Sequence, residues 1–414
     1  MRGLRGGARA PEPARAPPHA TVIGMHHDPA PPVLRGDEPG SFPHGVLAER
    51  HPAIIEQVRG AFPYGPEVHR ALDALRESCL HGVLEPLPDD AHDQRRWREW
   101  GVGAVLGRSW FDVPWLWSES WFYRRLLHAV GYFAPGPWQG IDPFRPFKLA
   151  ELDSPGTREE LAALDALARR PAAERAEALL HGSLWGNRAD LGFRLSDAQA
   201  EDRAAAPGLV ADDSARLWPL LTGRGTLCLV ADNAGRELIP DLLLVAHLLA
   251  EGRVERAVLH VKPYPYYVSD ATTADLVDAL RTLTAAPGEA AAYGHVLWSA
   301  MTDGTLAVRA HPFWASPLPF EDLPADLRAQ CAAATLTVVK GDLNYRRLVG
   351  DRRWPPTTSF ADVTAHFPGP VAALRTLKSD VITGLDPDTE RALVAAEGGR
   401  WRTGGTHALI QVRD

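Results

Sequence analysis

The chain has 414 residues, 45% of them hydrophobic and 23% charged, which is enough to bury a sizeable core and too apolar for disorder throughout. Its 52 acidic residues against 44 basic ones give a formal net charge of -8, the wrong sign for a protein held on nucleic-acid phosphates or an anionic membrane. The three cysteines (Cys79, Cys228 and Cys331) are scattered and form no CxxC pair, which argues against a disulfide scaffold or a cysteine zinc site and for a reducing, cytoplasmic setting.

Residues 1–45 read as a disordered leader: the first 40 hold 8 prolines and 6 glycines with almost no apolar periodicity. Over 46–205 the pattern is that of a helical domain. Ile54, Ile55 and Val58 share one helical face, and Val68, Leu72, Leu75 and Leu80 recur at helical spacing. The stretch 110–133 is dense in aromatics at helical spacing, which marks a core. Glu119 stands among them, and a carboxylate in that company needs a partner.

From 206 to 414 the character changes. Leu227–Ala231, Ala257–Val261 and Thr335–Val339 are short continuous apolar runs, as strands buried on both faces should be, and Val381-Ile382 and Ala408–Val412 are shorter candidates. Helical segments, 237–251 and 274–283, fall between the runs. The expected fold is therefore α/β, a mostly parallel sheet flanked by helices, with an N-terminal helical bundle. Neither GxGxxG nor GxxxxGK[ST] occurs.

In such sheets ligands bind beyond the carboxyl ends of the strands. The residues there are Asp232-Asn233 after the first run, Asp270 after the second, and Lys340-Gly341-Asp342-Leu343-Asn344-Tyr345-Arg346 after the third. Asp232, Asn233 and Asp270 are hard oxygen donors of the kind that suit Mg²⁺ or Mn²⁺. Lys340, Arg346 and Lys378 are cations of the kind that hold phosphate, and Gly341 would let backbone amides approach an anion. Taken singly, each acid has a second reading as a helix cap. Two counts sharpen the pattern. Among 44 basic residues only four are lysine (Lys148, Lys262, Lys340, Lys378), and the chain has only three asparagines (Asn187, Asn233, Asn344). A lysine kept where arginine is otherwise preferred marks a place that needs a compact point charge.

Five ordered segments, Leu184-Trp185-Gly186-Asn187-Arg188-Ala189-Asp190-Leu191, Asp232-Asn233-Ala234-Gly235-Arg236-Glu237, Val268-Ser269-Asp270, Lys340 to Arg346, and Arg375-Thr376-Leu377-Lys378, resemble the damage-control phosphatases. The last is the RTxK motif of their subfamily III, the branch also labelled acidic-residue or protein-glutamate methyltransferase. The resemblance runs from about Trp110 to the C-terminus. It implies a helical bundle packed on an α/β domain and a divalent-metal-dependent phosphatase of sugar phosphates such as fructose 1-phosphate and fructose 6-phosphate. By position it makes Asp232, Asn233 and Asp270 the metal ligands, for Mn²⁺, Co²⁺, Ni²⁺ or Mg²⁺. Substrate contacts fall on Asp232, Asn233, Asp342, Leu343, Asn344, Tyr345, Arg346 and Lys378. Two departures bear on the sugar pocket: Arg236 where an apolar residue is expected, and Tyr264-Pro265-Tyr266-Tyr267 where a Trp-Phe pair is.

The expected reaction is metal-assisted hydrolysis of a phosphate monoester, with a small phosphorylated metabolite as partner and neither nucleic acid nor membrane. Asp232 and Asp342 are the expected catalytic residues, Lys340, Arg346 and Lys378 hold phosphate oxygens, and Glu119, Asn187 and Arg188 orient the sugar. The alternatives are an S-adenosylmethionine-dependent protein carboxyl methyltransferase, for which Ala231–Gly235 is poor in glycine, and a non-catalytic sugar-phosphate-binding protein.

Overall fold

The computed structural model describes residues 30–186 and 208–414. The chain divides after Pro31, and the unit from Pro32 to Asp414 holds every element below. Residues 32–45, expected to be leader, are built into it: Val33 and Arg35 form isolated bridges with Arg352 and Pro114, and Leu34 is 5% exposed. Pro32 leads into these bridges, Pro39 lies in a turn and Pro43 in the first turn of a short helix (Phe42–Gly45), all positions that tolerate a missing N–H. The rest of the expected leader, residues 1–29, lies outside the described residues.

The longer helices over the first half are α1 (His51–Arg59), α2 (Pro66–His81), α3 (Trp115–Ala129), α4 (Arg145–Leu152), α5 (Pro155–Leu167) and α6 (Ala172–Trp185). Of the apolar positions read from their spacing, Ile54, Ile55, Val58, Val68, Leu72 and Leu75 enter one core with Trp97, Trp110, Trp121 and Phe122, whereas Leu80 is only half-buried. Trp97 and Trp121 meet edge to face at 4.8 Å. Arg124 on the same helix turns to the buried Asp93, with nitrogens at 2.6 and 2.8 Å.

Seven strands form one sheet in the order β1-β7-β6-β5-β2-β3-β4. They are β1 (Leu209–Asp212), β2 (Thr226–Val230), β3 (Arg256–His260), β4 (Leu306–Arg309), β5 (Leu336–Lys340), β6 (Val371–Thr376) and β7 (Ala408–Arg413). Every neighbouring pair is parallel except β6 and β7. The central strands carry apolar side chains on both faces. Leu227, Leu229, Leu336 and Val338 enter one core, and Val230, Val339, Val371 and Ala373 the other. Between β2 and β3 runs α7 (Leu238–Ala250), apolar almost all round because it is packed between α6 and α9 (Gly288–Asp303). The remaining long helices are α8 (Thr273–Ala285), α10 (Ala325–Ala333), α11 (Gly341–Val349) and α12 (Pro387–Glu397).

One expected strand is corrected. Val381-Ile382 is buried but is not a strand; the ladder beside β5 is β6, Val371–Thr376. Its Ala372 and Ala373 give a weak strand signal, whereas Val381 and Ile382 are apolar because a loop packs them into the core. The chain runs from β2 outward to β3 and β4, then returns to place β5 on the other side of β2. That reversal opens a crevice at the carboxyl ends of β2 and β5.

Candidate active site

At the end of β2 the backbone crosses to the loop that follows β3. Ala231 N donates to His260 O at 2.9 Å, Ala234 N to Ser269 O at 2.6 Å and Ala271 N to Asp232 O at 2.8 Å, and Asn233 bridges Asp270. These bonds bring Asp232, Asn233 and Asp270 together on adjacent turns, although 38 positions separate the two aspartates in sequence. Ser269 Oγ donates to Asn233 Oδ1 at 2.8 Å, and Asn233 Nδ2 to Glu237 Oε2 at 2.8 Å. Burial, then the charges of Asp270 and Glu237, push the Asp232 carboxyl well above the usual carboxylate range. Asp270 is raised by burial too, against the pull of Lys262, whose Nζ stands 3.2 Å from Asp270 Oδ2.

On the opposite side of the crevice β5 ends in Lys340 and turns at Gly341 into α11. Gly341 has φ 79°, and a Cβ added there would fall on the Asp232 carboxylate. Only a residue without a side chain leaves that acid its place. Asp232, Asn233, Lys340, Gly341 and Lys378 line one cavity of about 260 Å³, together with Ser183, Trp185, Gly186, Glu237, Asp241, Thr376 and Thr403–Gly405. Lys340 Nζ is 3.0 Å from Asp241 Oδ1 and donates to Ser183 Oγ at 3.0 Å and to the Ser183 carbonyl. Lys378, with a half-exposed side chain, stands 3.9 Å from Glu237 Oε1.

The other expected substrate residues are placed differently. Leu343 packs with Leu116 and Tyr266. Asn344 is fully buried and donates to Ala231 O at 3.0 Å and Lys340 O at 2.9 Å, tying β2 to β5. Tyr345 hydrogen-bonds Gln411 Oε1 at 3.0 Å. Arg346 donates to Glu119 at 2.7 Å and to Asp351 at 2.7 Å, with its guanidinium 3.4 Å over the Trp115 ring. Glu119 has found its partner there and also accepts from Tyr267 Oη at 3.1 Å. None of these five side chains lines the cavity, and Asp342 is absent from its lining as well. Asn187 and Arg188 lie outside the described residues.

Three lining acids and hydroxyls escaped the sequence reading. Asp241 had a signal: an acid inside the apolar run of α7 demands a buried cation, which Lys340 supplies. Ser183 and Thr403 carry no pattern that separates them from ordinary polar positions.

The family described as "Damage-control phosphatase ARMT1-like domain" matches residues 46–393 of the chain. Damage-control phosphatase ARMT1 of Danio rerio is 30% identical over 430 residues, covering 90% of this chain and 94% of that protein. The Bos taurus protein of that name is 31% identical over 336 residues, with 73% and 75% covered. The Homo sapiens one is 29% identical over 432 residues, with 90% and 97% covered. A solved DUF89 family protein from Pyrococcus horikoshii superposes at a TM-score of 0.47 and 14% identity, over 85% of this chain and 93% of that one.

Proposed function

Since this chain belongs to the damage-control phosphatase ARMT1-like family, we propose that it is a divalent-metal-dependent phosphomonoesterase of small sugar phosphates, with fructose 1-phosphate and fructose 6-phosphate as first candidates. The observation that carries this reading is the backbone pairing of the two turns that bear Asp232, Asn233 and Asp270, at the mouth of a crevice walled by Lys378.

The residues fit a cation. Among the described residues no cluster of three or more His, Cys, Asp or Glu could hold a metal unaided, and here the third donor is the Asn233 amide oxygen. All three donors are oxygens, the set that a hard divalent ion takes while keeping waters for substrate. Burial, then the charges of Asp270 and Glu237, raises the Asp232 carboxyl, and a bound cation would relieve both. A bound ion would supply charge neutralisation at a phosphate oxygen, held by Asp232, Asn233 and Asp270.

The chain's own groups do the rest. Lys378 is the half-exposed cation of the cavity and reaches the phosphate. Lys340, held by Asp241 and Ser183, adds positive potential to the floor without leaving its place. Asp342 keeps its negative charge under Arg375 and positions Lys378 rather than donating a proton. Glu119 and Arg346 brace α3 against α11 behind the site. Asn187 and Arg188 follow directly on the lining residue Gly186 and are assigned hydroxyl and phosphate contacts.

The test is release of inorganic phosphate by the purified full chain from a panel of sugar phosphates, with Mn²⁺, Co²⁺, Ni²⁺ or Mg²⁺ and with a chelator. Ion-stimulated release that chelation abolishes is the expected result. Tight binding of the same esters without turnover under any ion would make the protein a sensor instead.

A further inference from the structure

All four lysines of the chain gather at the strand ends. Lys340 and Lys378 line the cavity and Lys262 pairs with the Asp270 carboxylate. The fourth, Lys148, comes from α4, a helix outside the sheet, and its side chain is 4% exposed. Its Nζ lies 2.9 Å from Asp142 Oδ2, 2.9 Å from Asp275 Oδ2 and 3.0 Å from the main-chain oxygen of Asp270. An ammonium has three protons, and here each has one acceptor. Asp275 is itself fixed by the capping box of α8, accepting from Thr272 N at 2.9 Å and Thr272 Oγ1 at 2.7 Å. Lys148 thus joins α4, the start of α8 and the backbone of Asp270 at one point.

One helical turn on, Glu151 faces the other ligand turn. The Arg236 main chain hydrogen-bonds its carboxylate, and Gly235, with φ 65°, leaves room where a Cβ would fall on that carboxylate. Helix α4 therefore touches the turn after β2 through Glu151 and the turn after β3 through Lys148.

We propose that Lys148 is a positioning residue for the cation site: it fixes the Asp270 main chain so that the Asp270 carboxylate meets Asp232 and Asn233 on the facing turn. The inference rests on the reading of those three residues as cation ligands. It explains why lysine persists here in a chain that otherwise uses arginine. Three acceptors approach from different directions, and a planar guanidinium in the same buried space cannot answer all of them.

The experiment is titration calorimetry of the full chain with Mn²⁺ alone, on wild type, Lys148→Met and Lys148→Arg, with circular dichroism and a thermal melt on each. Both variants are expected to bind Mn²⁺ about 10- to 100-fold more weakly, the range for losing a group that orients a ligand. Phosphate release should recover toward the wild-type kcat at saturating Mn²⁺, a split that general loosening of the fold would not produce. Should Lys148→Met fail to fold, Asp142→Asn frees the same ammonium at a side chain 13% exposed and should weaken Mn²⁺ severalfold. Wild-type affinity in folded Lys148→Arg, or in Asp142→Asn, overturns the proposal while leaving the cation site standing. A wild-type chain that takes up no Mn²⁺ overturns the site reading and this inference with it.

Discussion

Arg375 grips Asp342 with two nitrogens, Nε donating to Oδ1 at 2.9 Å and Nη2 standing 2.7 Å from the same oxygen. Ser379 Oγ at 3.0 Å and the Lys378 N–H at 3.2 Å converge on that oxygen too. Burial alone would raise the carboxyl, but Arg375 and Arg346 outweigh it and hold Asp342 below the usual range. The first residue of the RTxK motif thus sets the position of the last, by way of an aspartate on another element.

Replacing Arg375 by lysine should therefore be severe. The guanidinium is fully buried, also donates to Ser379 O and Val381 O, and sits 4.3 Å over the Tyr345 ring. Lysine cannot reproduce the fork, and the variant should lose about 3–5 kcal/mol in urea unfolding because one ammonium cannot serve Asp342 and the buried carbonyls of Ser379 and Val381 together. A loss under about 1 kcal/mol would mean the pair is dispensable.

Asp232→Asn should lower ion-stimulated phosphate release by at least about 100-fold, since a ligand matters no less than the groups that orient it. In the metal-free protein the same change removes the cost of burying a carboxylate and then the repulsion from Asp270 and Glu237, so unfolding stability should hold or rise by about 1 kcal/mol. Parallel phosphate-release and urea measurements check both. A variant that is destabilised and still active would reverse the assignment.

At Gly341, alanine meets two obstacles: a left-handed backbone, which costs a residue with a side chain about 1–2 kcal/mol, and the Asp232 carboxylate where its Cβ must go. Gly341→Ala should lose activity out of proportion to stability, because the displaced group is a ligand. Equal loss in both, read from kcat and from the unfolding midpoint, would make the glycine a purely structural requirement.

His51 supplies a pH effect away from the site. It lies stacked 3.8 Å from Phe122 with both ring nitrogens buried and unpartnered, and burial, then Arg50, lowers it to about 3. As pH falls below about 6.5 the unfolded chain takes up a proton that the folded chain refuses, so stability declines until about pH 3. At pH 4.5 this amounts to about 2–3 kcal/mol. His51→Phe should lose that much less stability than wild type between pH 7 and 4.5. Identical pH profiles in urea would show that the ring is not held neutral.

The strands that matter for the site were legible because they are apolar on both faces, and each apolar run is followed at once by polar residues: Leu227 to Ala231 by Asp232, Leu336 to Val339 by Lys340. The switch of direction at β2 places those polar ends in one crevice; the sequence pointed to the strand ends, and the strand order came from the fold. Side-chain partners were less legible. Nothing in the sequence says that Arg346 turns to Glu119, 227 positions away, or that Asn344 braces two strands from beneath instead of facing the cavity. A residue's type states what it must bond, whereas the fold decides with whom. Alanine-rich β6 failed as a pattern for a related reason: its side chains are small because α6 and α11 pack close on it.

Three of the four lysines have their ammonium groups sealed inside the protein, and Lys378 alone reaches solvent, with 49% of its side chain uncovered. An acylating reagent therefore has a single accessible lysine to react with, at the rim of the cavity. The rate of that one modification becomes a gauge of occupancy: a ligand lodged beside Lys378 slows it, and an empty crevice leaves it fast, with no turnover required.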